Sequence, residues 1–162
     1  MADHLREALS KLLDVYDTRR RADLEREQKA KDDEVRFIED FAEVRRTVIR
    51  PVFEAAGAML EERGHRYSIV ELEFAAGVEG RISEAAITLR IVPSGTRPPL
   101  HEDQRSLTIA TRHYNKTVWV NSGESAASGG LAGAKGAFAL EKVTRQLVEE
   151  ELIGFVARVV AS

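Results

Sequence analysis

The chain has 162 residues, 24 Lys plus Arg against 27 Asp plus Glu, a formal net charge of -3 and 43% hydrophobic residues, which suits one ordinary domain with an appendage. The near balance of charge argues against a disordered chain and against a basic nucleic-acid carrier. The absence of cysteine removes disulfide scaffolds, thiolate nucleophiles, zinc ribbons and iron–sulfur clusters, all of which need sulfur.

The first segment, MADHLREALSKLLDVYD, carries Asp3 and Glu7 and lacks the unbroken apolar run of a signal peptide. Nowhere is there an apolar stretch of the length that spans a bilayer. A cytoplasmic protein without a membrane partner is therefore expected. The sequon Asn115-Lys116-Thr117 is given no weight without an export signal.

Residues 1–64 hold one proline and two glycines amid many Glu, Arg, Ala and Leu, and so read as helix. Leu5, Leu9, Leu12 and Tyr16 follow at steps of four, three and four and share one face. Residues 17–34 then carry six basic and seven acidic groups and form a solvated face or spacer. From Val35 the apolar stripe resumes through Ile38, Phe41, Val48, Ile49, Val52, Phe53, Met59 and Leu60, wide enough to lie against a sheet. Pro51 kinks this helix or starts a new one after Arg50, and Gly64 signals a C-cap. Residues 1–34 are thus expected to be an amphipathic, then charged, N-terminal helix that either projects as an oligomerisation arm, the favoured reading, or breaks in the charged segment and packs back on its own chain, and residues 35–162 a two-layer domain.

After Gly64 the pattern alternates. Tyr67–Ala75 places Val70, Leu72 and Phe74 on one face and Ile69, Glu71 and Glu73 on the other, and Ala85–Val92 alternates likewise, so the two form a hairpin across Gly77 and Gly80. Residues 93–105, with three prolines, read as an exposed connection. Ser106–Tyr114 and Thr117–Asn121 supply two further strands joined by a tight turn at Asn115-Lys116. Residues 122–136, with five glycines and three serines, read as a loop, and Ala137–Val160 as a closing helix with Leu140, Val143, Leu147, Leu152, Phe155, Val156 and Val159 as its apolar side. The fold class is α+β: a four-stranded, mainly antiparallel sheet covered by helices, with a long charged N-terminal helix.

Chemical motifs are sparse. Gly129, Gly130, Gly133, Lys135 and Gly136 could cradle a phosphate before a helix, with Arg112 and His113 nearby as further ligand-binding candidates. The Walker pattern fails at Ala134 and Gly136, and a flexible strand-to-helix connection is the first reading of the glycines. Gly123-Glu124-Ser125-Ala126-Ala127 approaches a nucleophile elbow but ends in alanine and has no histidine after it. His101, Glu102 and Asp103 are crowded on one loop, with His113 a strand away, which is not the spaced ligand set of a catalytic metal; no metal and no cofactor are expected. Arg90, Arg112, Lys116, Tyr114 and Trp119 give the sheet a slight basic and aromatic character, which ordinary exposed strand residues also explain, so nucleic acid is not expected as a partner.

No general base stands in a recognisable order, so an enzyme is not the first reading. The expectation is a non-enzymatic interaction or scaffold protein that forms a homo-oligomer, first a dimer, through Leu5, Leu9, Leu12 and Tyr16. The alternative is a small-molecule or phosphate-binding domain, enzymatic or not, using residues 122–136.

Overall fold

A computed structural model describes residues 2–95, 105–122 and 134–161. The chain comprises two compact units, Met1–Arg36 and Phe37–Ser162.

Helix α1 (Ala2–Val44) supplies all the regular structure of the first unit. No proline or glycine interrupts it, and it runs unbroken through the charged segment. Its surface carries pairs one turn apart, Glu7 with Lys11 and Asp23 with Arg26, both at 3.8 Å, and Gln28 donates to Asp32 Oδ1 at 3.0 Å. Such exposed pairs contribute about 0.2–0.5 kcal/mol each. Among the described residues of this unit no side chain is buried, so within one chain its helix draws on propensity and local pairs.

From the start of the second unit, buried residues recur along the helix at Phe37, Phe41, Arg45, Ile49 and Phe53, each four after the last, with Val52 buried beside Phe53. At 3.6 residues per turn, a step of four overshoots by about 40°, so four such steps would carry a straight helix roughly half a turn off its face. A π-helical turn at Arg45–Ile49 removes this drift by fitting more residues into one turn. Helix α2 (Arg50–Glu62) follows, with Pro51 in its first turn, where a missing N–H is tolerated. Its end is a Schellman turn: Gly64 adopts φ 84°, its N–H donates to Glu61 O at 3.0 Å, and the His65 N–H donates to Leu60 O at 3.0 Å.

The sheet has five strands in the order β1 (Arg66–Leu72), β4 (Ala86–Val92), β5 (Ser106–Arg112), β6 (Thr117–Ser122) and β7 (Ala134–Ala139), each antiparallel to its neighbours. A small ribbon of β2 (Ala75–Ala76) and β3 (Ile82–Ser83) extends the β1–β4 hairpin. Helix α3 (Arg145–Ala161) closes the chain. The described fold is mixed helix and sheet, as the alternation and helical stripes imply, but with five strands rather than four.

The fifth strand lies where composition implies a loop and the start of a helix. Residues 134–139 (AKGAFA) have weak intrinsic strand preference and no apolar alternation. They are drawn into the sheet because β6 would otherwise be an open edge with unpaired backbone groups, and Thr117, Val118 and Trp119 pair with Ala139, Phe138 and Ala137. The last helix accordingly begins at Arg145, not Ala137. Thr144 sets that start, its Oγ1 accepting from the Leu147 N–H at 3.3 Å, the N-cap geometry. From there Val148, Leu152, Phe155 and Val159 form the buried face at steps of four, three and four; Val148, not the half-buried Leu147, begins it, and Leu140 and Val143 of the expected stripe lie in and just after a short turn before the helix.

Ile87, Leu89 and Ile91 of β4, Leu107 and Ile109 of β5, and Val118 and Val120 of β6 line the core side of the sheet. Against them pack Phe41, Ile49 and Phe53 together with the α3 face. Each such side chain stabilises the fold by about 1.5–3 kcal/mol on burial. In β1 the buried face is that of Tyr67 and Ile69, while Val70 and Leu72, despite being apolar, are 39% and 53% exposed on the other. The reason is Glu71. It faces Ile87 across the strands, and Arg45 Nε of the π-turn lies 3.7 Å and Arg50 Nη1 at the start of α2 3.2 Å from its carboxylate, so the core side of β1 can end in a charge.

Candidate functional site

Leu5, Leu9, Leu12 and Tyr16 are 60%, 47%, 67% and 57% exposed. They lie on one side of α1 because alternate steps of three and four residues track a 3.6-residue turn. Leu13 and Val15, which the stripe pattern leaves out, are exposed beside them at 57% and 60%. The signal for these two was present in the spacing: they occupy positions flanking a heptad seam, and apolar residues there widen a two-position stripe into a broad contact face. A cluster of six large exposed apolar side chains within twelve residues is more than scattered surface hydrophobics need.

In the second unit, Arg112 and His113 are neighbours in sequence that engage different surroundings. The Arg112 guanidinium lies over the Trp119 ring, 4.6 Å from its centre, a cation–π contact. Trp119 Nε1 donates to Thr117 Oγ1 at 3.2 Å, and that hydroxyl donates to Asn115 Oδ1 at 2.6 Å. This chain of contacts fixes the β5–β6 turn, in which Lys116 takes the left-handed φ of 53°. His113 instead meets Glu84: its backbone N–H donates to the carboxylate at 3.2 Å and its ring Nδ1 is 3.1 Å from Oε1. Phe74 covers the imidazole with ring centres 5.3 Å apart. Glu84 thereby ties the entry of β4 to the end of β5, and both members of the carboxylate–imidazole pair are occupied in structural contacts.

Of the glycine-rich segment, Gly129, Gly130 and Gly133 lie outside the described residues, as do His101, Glu102 and Asp103. Lys135 and Gly136 belong to the backbone of β7. Among the described residues no group of three His, Asp or Glu side chains is placed to hold a metal ion, and no described helix is long and apolar enough to cross a membrane.

Two further features were not marked by sequence. A groove of about 350 Å³ runs between α2 and α3, where Pro51, Ala55 and Met59 face Leu152 and Ile153; Met59 and Ile153 are 65% and 68% exposed. The second is Arg45, whose side chain is only 8% exposed yet fully engaged: NH1 donates to Leu72 O at 3.0 Å and NH2 to Glu73 Oε1 at 2.6 Å. Beside it, side-chain hydrogen bonds to Glu54 and then to Glu71 raise the pKa of Arg50 above its ordinary value. The role of this cluster is to join the π-turn to β1.

Comparison with protein families, with curated proteins and with solved structures returns no match. The functional reading therefore rests on the residues themselves.

Proposed function

We propose that this is a non-enzymatic interaction protein that self-associates through the first turns of α1, with Leu5, Leu9, Leu12 and Tyr16 as the contact residues. The observation that carries this reading is the exposure of that stripe on a helix whose described residues 2–36 include no buried side chain. Isolated helices are marginal in water, and most helical stability in proteins comes from packing an apolar face. Covering the stripe supplies that packing, at about 1.5–3 kcal/mol for each large side chain fully buried.

Light scattering of the full chain is expected to give twice the chain mass, and the Leu9→Asp/Leu12→Asp variant the mass of one chain. Trp119, the one tryptophan, sits in the second unit, and its unchanged fluorescence would show that the variant retains that fold. A single-chain mass for the unsubstituted protein at high concentration would sink the reading.

A further inference from the structure

We propose that the stripe is covered by the same stripe of a second copy running antiparallel, Leu9 against Leu12 and Leu5 against Tyr16. This rests on the self-association reading above and adds the partner's direction and register.

The steps of four, three and four assign Leu5 and Leu12 to one seam position of a heptad and Leu9 and Tyr16 to the other. Continued along the unbroken helix, the same frame places Arg19, Asp23, Arg26, Ala30 and Asp33 at the next seam positions. In a parallel pair in register, each of these meets its own kind: arginine faces arginine or aspartate faces aspartate at four of the five positions. Like charges held a few ångströms apart across a seam repel and are desolvated without a partner.

Reversing one helix about the midpoint between Leu9 and Leu12 leaves none of Arg19, Asp23, Arg26 and Asp33 facing its own kind. Leu9 then meets Leu12 twice and Leu5 meets Tyr16 twice, so all four stripe residues are matched with apolar partners. Across the flanks Val15 meets Ala8, and Leu13 lies on the aliphatic stem of Arg6, which accounts for the two exposed residues that the seam alone leaves out. Arg19 comes opposite Ala2, a side chain small enough to let the guanidinium pass, and beside Asp3, which is of opposite charge. Sliding the antiparallel pair by one heptad would set Leu9 against Arg19 and lose the match. Sliding it one heptad the other way would set Leu12 against Ala2 and break the Leu5–Tyr16 match, so the charge pattern selects the direction and the apolar match selects the register.

The chain has no cysteine, so introduced thiols report this geometry cleanly. Leu5→Cys and Tyr16→Cys are each oxidised alone and as an equimolar mixture, with the mass of every sample measured by light scattering before oxidation. A disulfide-linked species is expected in the mixture and in neither variant alone, since two copies of Leu5 would lie about 16 Å apart along the axis, beyond the roughly 7 Å Cα separation that a disulfide allows. Disulfides within each variant alone would overturn the antiparallel arrangement while leaving self-association standing. A dimer mass with no disulfide in any combination would overturn it as well, placing the interface elsewhere.

If either seam variant fails to associate, Thr18→Cys carrying a nitroxide gives a second measurement from outside the seam. Labels about 25 Å apart are expected for the antiparallel pair, combining about 22 Å along the axis with the interaxial spacing. Labels about 10–15 Å apart would indicate parallel helices and overturn the proposal. A single-chain mass for the unsubstituted protein would overturn this proposal together with the reading on which it rests.

Discussion

Arg45 carries several structural jobs at once, and its chemistry says which substitute fails. Its planar fork reaches a backbone carbonyl of β1 and the carboxylate of Glu73 at the same time, and lysine, with one point of charge, cannot span both. Arg45→Lys is expected to lower stability by about 2–3 kcal/mol, the scale of hydrogen bonds to a charged group, measured by urea unfolding followed at Trp119. Gly57 presents a steric case. A Cβ added there would run into the ring of Tyr67, so α2 approaches β1 at this point only because the side chain is absent. Gly57→Ala should cost about 1–3 kcal/mol, as overpacking does, and the loss should shrink in the Gly57→Ala/Tyr67→Ala background relative to Tyr67→Ala alone. Equal losses in both backgrounds would show that the ring is not the obstacle. Neither role was legible beforehand: one arginine among 18 and one glycine inside a helical stripe carry no local mark of what they touch, because the partner is in each case a distant strand.

Among elements, the helices and the first four strands of the sheet were legible because their signals are local. Apolar periodicity placed the helical stripes, alternation placed β1, β4, β5 and β6, and Gly64 marked a helix end whose Schellman geometry the structure shows. Strand β7 was not, because its pairing comes from the edge of β6 and not from its own residues. The buried face of β1 was also hidden, since alternation offers two faces and the choice depends on where Arg45 and Arg50 can reach Glu71. The start of α3 was misplaced for a simpler reason: alanine-rich residues 134–139 favour helix locally, whereas the cap is at Thr144. Thr144→Ala should therefore destabilise by about 1 kcal/mol, seen as a lower urea midpoint with an unchanged slope, while Ala137→Ser, in the strand, should not reproduce a cap loss. For the candidate site, the stripe of α1 was fully written in the sequence, its two flanking residues less visibly so, and the α2–α3 groove not at all, because it is made by residues nearly a hundred positions apart.

At the scale of the molecule, each main strand lies beside the one before it in the order β1, β4, β5, β6, β7, so among the described residues the strand order of the sheet shows no crossover. That order has a kinetic consequence. Every strand can pair with a neighbour already at hand, and the loop-closure entropy of each step stays small. Helix α3 is different, since its buried face meets α2 and the sheet only after the whole meander has been laid down. The sheet centre should thus form early and α3 dock late. In stopped-flow refolding followed at Trp119, Ile109→Val is expected to slow folding more than it speeds unfolding, and Phe155→Leu to do the reverse. The opposite pattern would mean that the closing helix organises the sheet. If α3 does arrive last, the part of the sheet core that it covers is bare for as long as synthesis or refolding leaves that helix undocked, and for that interval the apolar core side of the sheet is the surface through which chains would aggregate.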